Sequence, residues 1–290
     1  MSDGAKKTPD ENSQLLAKLH ELYSDQTKHS VYQNVPLFVR QALNYSETIN
    51  EQWRGDSTRW EYMCHNLDFD KESILDVGAN TGFFTLSIAD RHPLSSCTAL
   101  EGNLNHTRFI EMIVDHFNLK NVNILQQYLD YKAIDSLEKY DTILLYNVLH
   151  HAGVDFDTDL VHSKDQLYAY LVRYLGKLGR HCNRIVFQMG FNWGGNKQEP
   201  IVMLNDDSGK IVYTCRFLHE AGWTIETIAM PRARAGELPV CHTDLPEAIT
   251  RAANAGDEAT LAAKLPGLLD AKINTFSEFY RRPIFVCRKT

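Results

Sequence analysis

Residues 74–89 read ILDVGANTGFFTLSIA. A short apolar run ends on an acid, a turn of small residues follows, and apolar residues then recur at helical spacing, so the stretch reads as strand, turn and helix. Gly78 permits a tight reversal and close backbone approach, Asn80 tolerates left-handed geometry, and Gly82 lets the next helix pack close to the strand. In an open α/β sheet, ligands lie outside the carboxyl ends of the strands, and the turn after the first strand is the usual cradle. A dinucleotide site would want GxGxxG and a pyrophosphate on the helix N-terminus; here the turn is GxNxG. Asp76, just ahead of it, would repel a pyrophosphate but could fix a ligand bearing an ammonium group, directly or through water. Nineteen residues past Gly82 (101 − 82), Glu101 closes a second strand in ALEGN. A carboxylate there accepts hydrogen bonds from both hydroxyls of a ribose.

Outward from this turn, the apolar runs SILDVG, CTALEG, NVNILQ, DTILLYNV, RIVFQMG, WTIETIAM and PIFVCRK are separated mostly by the helical patterns FTLSIADRH, HTRFIEMIVDHF, KDQLYAYLVRYLGKL and CRFLHEAG. Such alternation predicts an α/β fold: a Rossmann-like, seven-stranded, mostly parallel sheet with helices on both faces. Ahead of it, Leu15, Leu16, Leu19 and Leu22 share one helical face and Phe38, Val39, Ala42 and Leu43 another, predicting an N-terminal helical cap over 14–66. Residues 1–13 carry few apolar side chains and read as a disordered tail. The core spans 67–230, a helical insertion 231–280, and the final core strand 281–290.

The chain has 290 residues, 43% of them hydrophobic, and a formal net charge of −7. That is long enough for a sizeable core, and the acidic balance disfavours broad, non-specific nucleic-acid binding while leaving room for a local basic patch. No apolar run of about 18 residues and no apolar signal segment is visible, so a cytoplasmic protein without a membrane partner is expected. Six cysteines are dispersed without CxxC spacing, so neither a zinc site nor any other metal is expected.

The DVGANTG turn with the strand-end Glu101 resembles the first two motifs of class I S-adenosylmethionine-dependent methyltransferases, and FLHEAGWTIETIAM with the final PIFVCRK is similar to that family's C-terminal hairpin. The resemblance spans about 70–230 and the last ten or so residues. It implies an enzyme with S-adenosyl-L-methionine as cofactor and an antiparallel last strand inserted beside the fifth. Asp76, Gly78, Ala79, Asn80 and Gly82 would then contact the methionine moiety and Glu101 the ribose; Asp130, in QQYLDYK, would face the adenine amino group, and Asn147, ending strand four, would line the cofactor floor.

Methyl transfer from a sulfonium is an in-line displacement, so the protein must align the nucleophile and remove a proton from a hydroxyl or amine. NVLHHAG places His150 and His151 just past strand four, where a histidine near neutral pKa suits a general base. Adjacent residues on extended chain point opposite ways, so at most one of the two would face the substrate, His150 being the first choice. A narrower resemblance joins INEQWRGDSTRW and KDQLYAYLVRYLGKLG to the subfamily that modifies the wobble uridine of tRNA with a carboxylated cofactor. Trp53, Arg54 and Asp56 match its W-R-x-D element, with Arg54 implied on the cofactor carboxylate. His150-His151 replaces its Tyr-His pair, and GAN its GCG-type turn, which favours ordinary methyl transfer. After strand five, GFNWGGNKQEPI offers Trp193 for stacking and Asn192, Asn196, Lys197 and Gln198 for polar contacts with a sugar or other polyol, and Arg232 and Arg234 could meet an anion. The expected activity is methyl transfer to a hydroxyl or amine of a small polar or glycan-like acceptor. A tRNA base modifier and a catalytically silent cofactor-binding subunit are the alternatives, and the oligomeric state is not legible.

Overall fold

The computed structural model describes residues 8–23, 33–45, 55–203, 205–234, 237–275 and 277–289. Three helices, α1 (Pro9–Tyr23), α2 (Leu37–Leu43) and α3 (Asp56–Asn66), precede the sheet. Then β1 (Ser73–Val77), α4 (Phe83–Arg91), β2 (Ser96–Leu100), α5 (Leu104–Phe117), β3 (Val122–Leu125), β4 (Tyr140–Tyr146), α6 (Lys164–Leu178), β5 (Cys182–Gln188), α7 (Asp207–Glu220) and β6 (Trp223–Arg234) alternate as the sequence predicts. The chain continues through β7 (Glu237–Asp244), α8 (Glu247–Asn254), α9 (Glu258–Lys264) and β8 (Ile284–Lys289).

The strands form one sheet of order β3-β2-β1-β4-β5-β8-β6-β7. β1 pairs in parallel with β2 and β4, and β8 enters antiparallel between β5 and β6. Strand order therefore reverses between β1 and β4, and ligands gather at such a reversal. Period-two alternation divides the core. Ile143 and Leu145 of β4 face the cluster beneath α6 and α7, whereas Leu144 and Tyr146 face the one shared with Tyr62 and Met63 of α3 and Phe84 of α4.

Two expectations are corrected. The sheet has eight strands, not seven, because residues 231–244, expected inside a helical insertion, prolong β6 and add β7 as an antiparallel hairpin. The alternation in PRARAGELPVCHTD has period two, and Pro231 and Pro239 would in any case interrupt a helix. Helical segments begin only at Glu247. Residues 9–13, expected within a disordered tail, are helical instead, since α1 starts at Pro9. There the Glu11 N–H donates to Thr8 Oγ1 at 3.2 Å and the Thr8 N–H to Glu11 Oε2 at 2.8 Å, a reciprocal cap. Within the cap, Leu15, Leu19, Val39 and Leu43 are buried, while Ala42 faces solvent; the Leu22 side chain and residues 1–7 lie outside the described residues. Among the described residues, no helix is long and apolar enough to cross a membrane.

Candidate active site

The turn after β1 carries positive φ at Gly78 (68°), Asn80 (52°) and Gly82 (79°). At the two glycines a side chain would also collide: a Cβ on Gly78 would sit 2.8 Å from Val148 Cγ2, and one on Gly82 2.8 Å from Ile110 Cγ1. The Gly78 and Ala79 N–H groups both donate to Leu100 O, at 2.8 and 3.1 Å, which draws the turn toward the end of β2. Gln33, from the N-terminal cap, reaches over to accept the Phe83 N–H at 3.0 Å. Inside the turn Thr81 Oγ1 is buried with no hydrogen-bond partner among the described residues. A native fold rarely leaves a buried hydroxyl unpaired, so this one suits a ligand seated in the turn.

Glu101 ends β2 beside that turn. Its Oε2 accepts the Asn80 N–H and its Oε1 the Asn103 N–H, each at 2.8 Å, and His106 Nδ1 lies 3.5 Å from Oε1. Burial raises the carboxyl pKa, but His106 and the two backbone donors outweigh it, leaving Glu101 below the usual carboxylate range and ionised. Two residues absent from the sequence-based set flank it: His106 is buried, and the exposed Tyr128 ring lies so close over Gly102 that a Cβ there would be 2.5 Å from it. No pattern in a single sequence marks either: His106 meets the carboxylate across the short turn into α5, and Tyr128 comes over Gly102 through the pairing of β2 with β3.

Asp76 is buried and turned toward α4, where its Oδ2 accepts the Thr85 hydroxyl at 2.7 Å and the Thr85 N–H at 3.2 Å. Burial outweighs those bonds, and with Glu101 nearby the pKa is pushed up to about 6. The carboxyl thus sits where a cation would hold it ionised.

Past β4, Asn147 adopts φ 59°, donates through Nδ2 to Gln188 Oε1 at 3.2 Å and accepts from Arg282 Nη1 at 2.8 Å. His150 is buried, and its Nδ1 accepts the Gly190 N–H at 3.3 Å. Burial, with His151 and Arg282 adding to it, holds its pKa well below the ordinary histidine range. His151 is more open, with Nδ1 2.7 Å from Asp155 Oδ2 and its ring centroid 4.1 Å from that of His150. The two neighbours therefore differ: one is a neutral buried acceptor, the other a more open imidazole with a carboxylate 2.7 Å from Nδ1.

Arg282, just ahead of β8, joins this floor to the C-terminal segment through Asn147 and a bidentate pair with Glu278. Arg59 of α3 pairs with Asp56 at 3.0 Å, and the Arg59 and Arg282 guanidiniums lie 4.7 and 4.9 Å from the Phe279 centroid. The charge-rich sequence around 278–282 carries the only prior signal for this group, and only the insertion of β8 beside β5 brings it to the site.

The remaining expected residues lie as follows. Asp130 accepts the Ala133 N–H at 2.7 Å, closing a short helical turn. Trp193 is half-buried, its indole N–H donating to Ala152 O at 2.8 Å. Asn192 is buried; Asn196, Lys197 and Gln198 are exposed, and Asn196 Oδ1 accepts the Gln198 N–H. Trp53 and Arg54 lie outside the described residues, as does the Arg234 side chain. Among the described residues no group of three or more His, Cys, Asp or Glu is placed to hold a metal ion.

Residues 58–171 match the profile of a family described as GidB, rRNA small subunit methyltransferase G. Over 113 residues the chain is 32% identical to malonyl-[acyl-carrier protein] O-methyltransferase of Acetivibrio thermocellus, covering 37% of this chain and 36% of that protein. It is 29% identical over 109 residues to (S)-coclaurine N-methyltransferase of Thalictrum flavum subsp. glaucum, covering 37% and 29%. The chain spans about a third of the length of the curated relatives it matches. Among solved structures, magnesium protoporphyrin IX methyltransferase of Synechocystis PCC 6803 with bound S-adenosylmethionine aligns with TM-score 0.47 and 10% identity, covering 99% of this chain and all of that one.

Proposed function

We propose that the chain is a class I S-adenosylmethionine-dependent methyltransferase, a reading supported by the family match over 58–171, the methyltransferase relatives and the strand order, and that it transfers a methyl group to a hydroxyl or amine of a small polar acceptor, with His151 as general base. The observation that carries the reading is the His151 Nδ1 to Asp155 Oδ2 contact of 2.7 Å just past β4, at the strand-order reversal where Gly78 and Glu101 form the cradle.

The residues present fit the cofactor. Glu101 is ionised and can accept from a ribose diol, Asp76 answers an ammonium group, and the Gly78 turn with the unpartnered Thr81 hydroxyl receives the polar tail. S-adenosylmethionine supplies an electrophilic methyl on a sulfonium. The protein's own part is alignment and proton removal. With the Asp155 carboxylate 2.7 Å from Nδ1, the tautomer protonated on that nitrogen is favoured, and Nε2 of His151 is then the atom to take the acceptor's proton. His151 is preferred to His150, the first choice from the sequence, because burial holds the His150 pKa well below the ordinary range, which makes it a weak base, and its Nδ1 is engaged by the Gly190 N–H.

A second reading has RNA as the acceptor, favoured by the description of the family matched over 58–171. The net charge of −7 weighs against it. Incubation with S-adenosylmethionine carrying a labelled methyl group, against small hydroxyl and amine acceptors in parallel with tRNA and rRNA, decides between them. Label in small molecules alone supports the first reading; label in RNA with steeply salt-dependent binding replaces it. Binding of S-adenosylhomocysteine without transfer to any acceptor points to a silent subunit.

A further inference from the structure

The Glu101 carboxylate is approached by three groups from two directions. The Asn80 N–H of the β1 turn holds Oε2, while the Asn103 N–H and the His106 ring, both from the start of α5, stand on the side of Oε1. His106 differs from the two backbone donors. It lies in the first turn of α5, is 4% exposed, and neither ring nitrogen has a hydrogen-bond partner among the described residues. Nδ1 stands 3.5 Å from Oε1, just beyond a bonded distance. A folded protein rarely leaves a buried imidazole unpaired, and the carboxylate within its reach is the one proposed to meet the cofactor's ribose.

The ring is held by the same residue that holds the carboxylate. Asn103 gives its N–H to Glu101 Oε1 and accepts the Asn105 N–H at 2.8 Å through its side chain, which caps α5 and so sets where His106 begins its turn. Buried Thr107, Phe109 and Ile110 fasten that end of the helix to the core. A glutamate carboxylate turns easily about its last torsion, which is broad and roughly two-fold, whereas the buried imidazole beside it is locked by packing. Closing the short gap at Nδ1 gives Oε1 a second donor and fixes the carboxylate plane, with its remaining lone pairs left to a ligand. Electrostatics act in the same sense: burial works to raise the Glu101 pKa, and His106 is foremost among the groups that bring it below the usual carboxylate range.

We propose that His106 is a positioning residue for the cofactor, its Nδ1–H setting the Glu101 carboxylate in the orientation that selects a ribose over a deoxyribose. It acts through Glu101 and does not itself touch the ligand, because both ring nitrogens are buried. The proposal rests on the methyl-transfer reading and names what makes its cradle selective for the sugar.

S-adenosylhomocysteine and its 2′-deoxy counterpart are the probes, titrated by calorimetry into wild-type protein, His106→Phe and His106→Asn. Phenylalanine keeps a ring and removes both nitrogens; asparagine offers Nδ2 near the place of Nδ1. Wild-type protein is expected to bind the ribose form roughly 10- to 150-fold more tightly, the range for a hydrogen bond to a charged acceptor. In His106→Phe that preference falls by roughly tenfold, through weaker binding of the ribose form with the deoxy form little changed, and in His106→Asn it returns. A packing role alone would weaken both forms equally. A ribose preference unchanged in His106→Phe, or one that His106→Asn leaves as low as His106→Phe does, would overturn the proposal. Should His106→Phe not fold, 15N NMR of the wild-type complex with S-adenosylhomocysteine decides: His106 Nδ1 carries its proton there, and a bare Nδ1 overturns the proposal. Wild-type protein that binds both forms alike also overturns it and leaves the methyl-transfer reading standing, whereas wild-type protein that binds neither overturns that reading itself.

Discussion

Glu101 accepts the backbone N–H of Asn80 at 2.8 Å, so the carboxylate ending β2 is fastened to the left-handed turn that follows β1. One side chain thus shapes the cradle and presents its charge to it. Glu101→Ala removes acceptors for the Asn80 and Asn103 N–H groups and, on the methyl-transfer reading, the carboxylate that would meet the ribose. Since a hydrogen bond to a charged group contributes about 1.5–3 kcal/mol, calorimetry should show S-adenosylhomocysteine affinity falling by roughly 10- to 150-fold. Unchanged affinity would remove Glu101 from the site.

Asp76 makes stability depend on pH and, on the methyl-transfer reading, cofactor binding as well. Its carboxyl pKa is raised from 3.8 to about 6 in the folded protein, chiefly by burial. A raised folded-state pKa means the native state holds the proton more tightly, so this group's contribution to stability is complete below about pH 4 and is lost as the pH rises through about 6. The loss reaches about 3 kcal/mol at most. Asp76→Asn, neutral and nearly isosteric, should flatten that part of the urea-midpoint profile between pH 4 and 7. Wild-type affinity for a ligand bearing an ammonium group should rise over the same window, as the carboxylate ionises.

The two histidines should separate in kinetics. His151→Asn is expected to lower kcat by roughly 10²–10⁴-fold with cofactor affinity intact, the range for loss of a general base. Asp155→Asn should cost less and shift the pH profile of kcat, because it alters the imidazole's orientation and basicity. For His150→Ala the expected effect is on stability, since the Gly190 N–H loses its acceptor and a buried ring is deleted. Wild-type turnover in both His151→Asn and Asp155→Asn would dismiss the base assignment.

Gly82 tests the backbone. With φ at 79° and a would-be Cβ 2.8 Å from Ile110 Cγ1, Gly82→Ala combines left-handed strain with a collision against α5. It should destabilise the protein by about 1–3 kcal/mol, read from chemical denaturation, and weaken cofactor binding by displacing the N-terminus of α4. A neutral substitution would show that the turn relaxes freely.

From the sequence by itself came the elements whose signal is local. The apolar runs and helical periods placed the alternating core, and the residues Gly78, Asn80 and Gly82 announced a turn whose left-handed φ values only such residues adopt readily. Glu101 was legible because its distance along the chain from the turn reflects one strand-helix-strand unit. The extra strand β7 was missed because its short period-two pattern, interrupted by Pro239, directly precedes the Ala- and Leu-rich stretch 246–269 that reads as helix. Tertiary structure alone decided everything that depends on pairing between distant segments: which neighbouring histidine is buried, the contact of Asn147 with Gln188 and Arg282, and the meeting of α3 with β7 around His242. Burial and hydrogen bonding set the chemistry of a titratable side chain, and both are properties of the packed surroundings; the two adjacent letters His150 and His151 are identical in sequence and become different chemical groups only when the sheet closes around one of them.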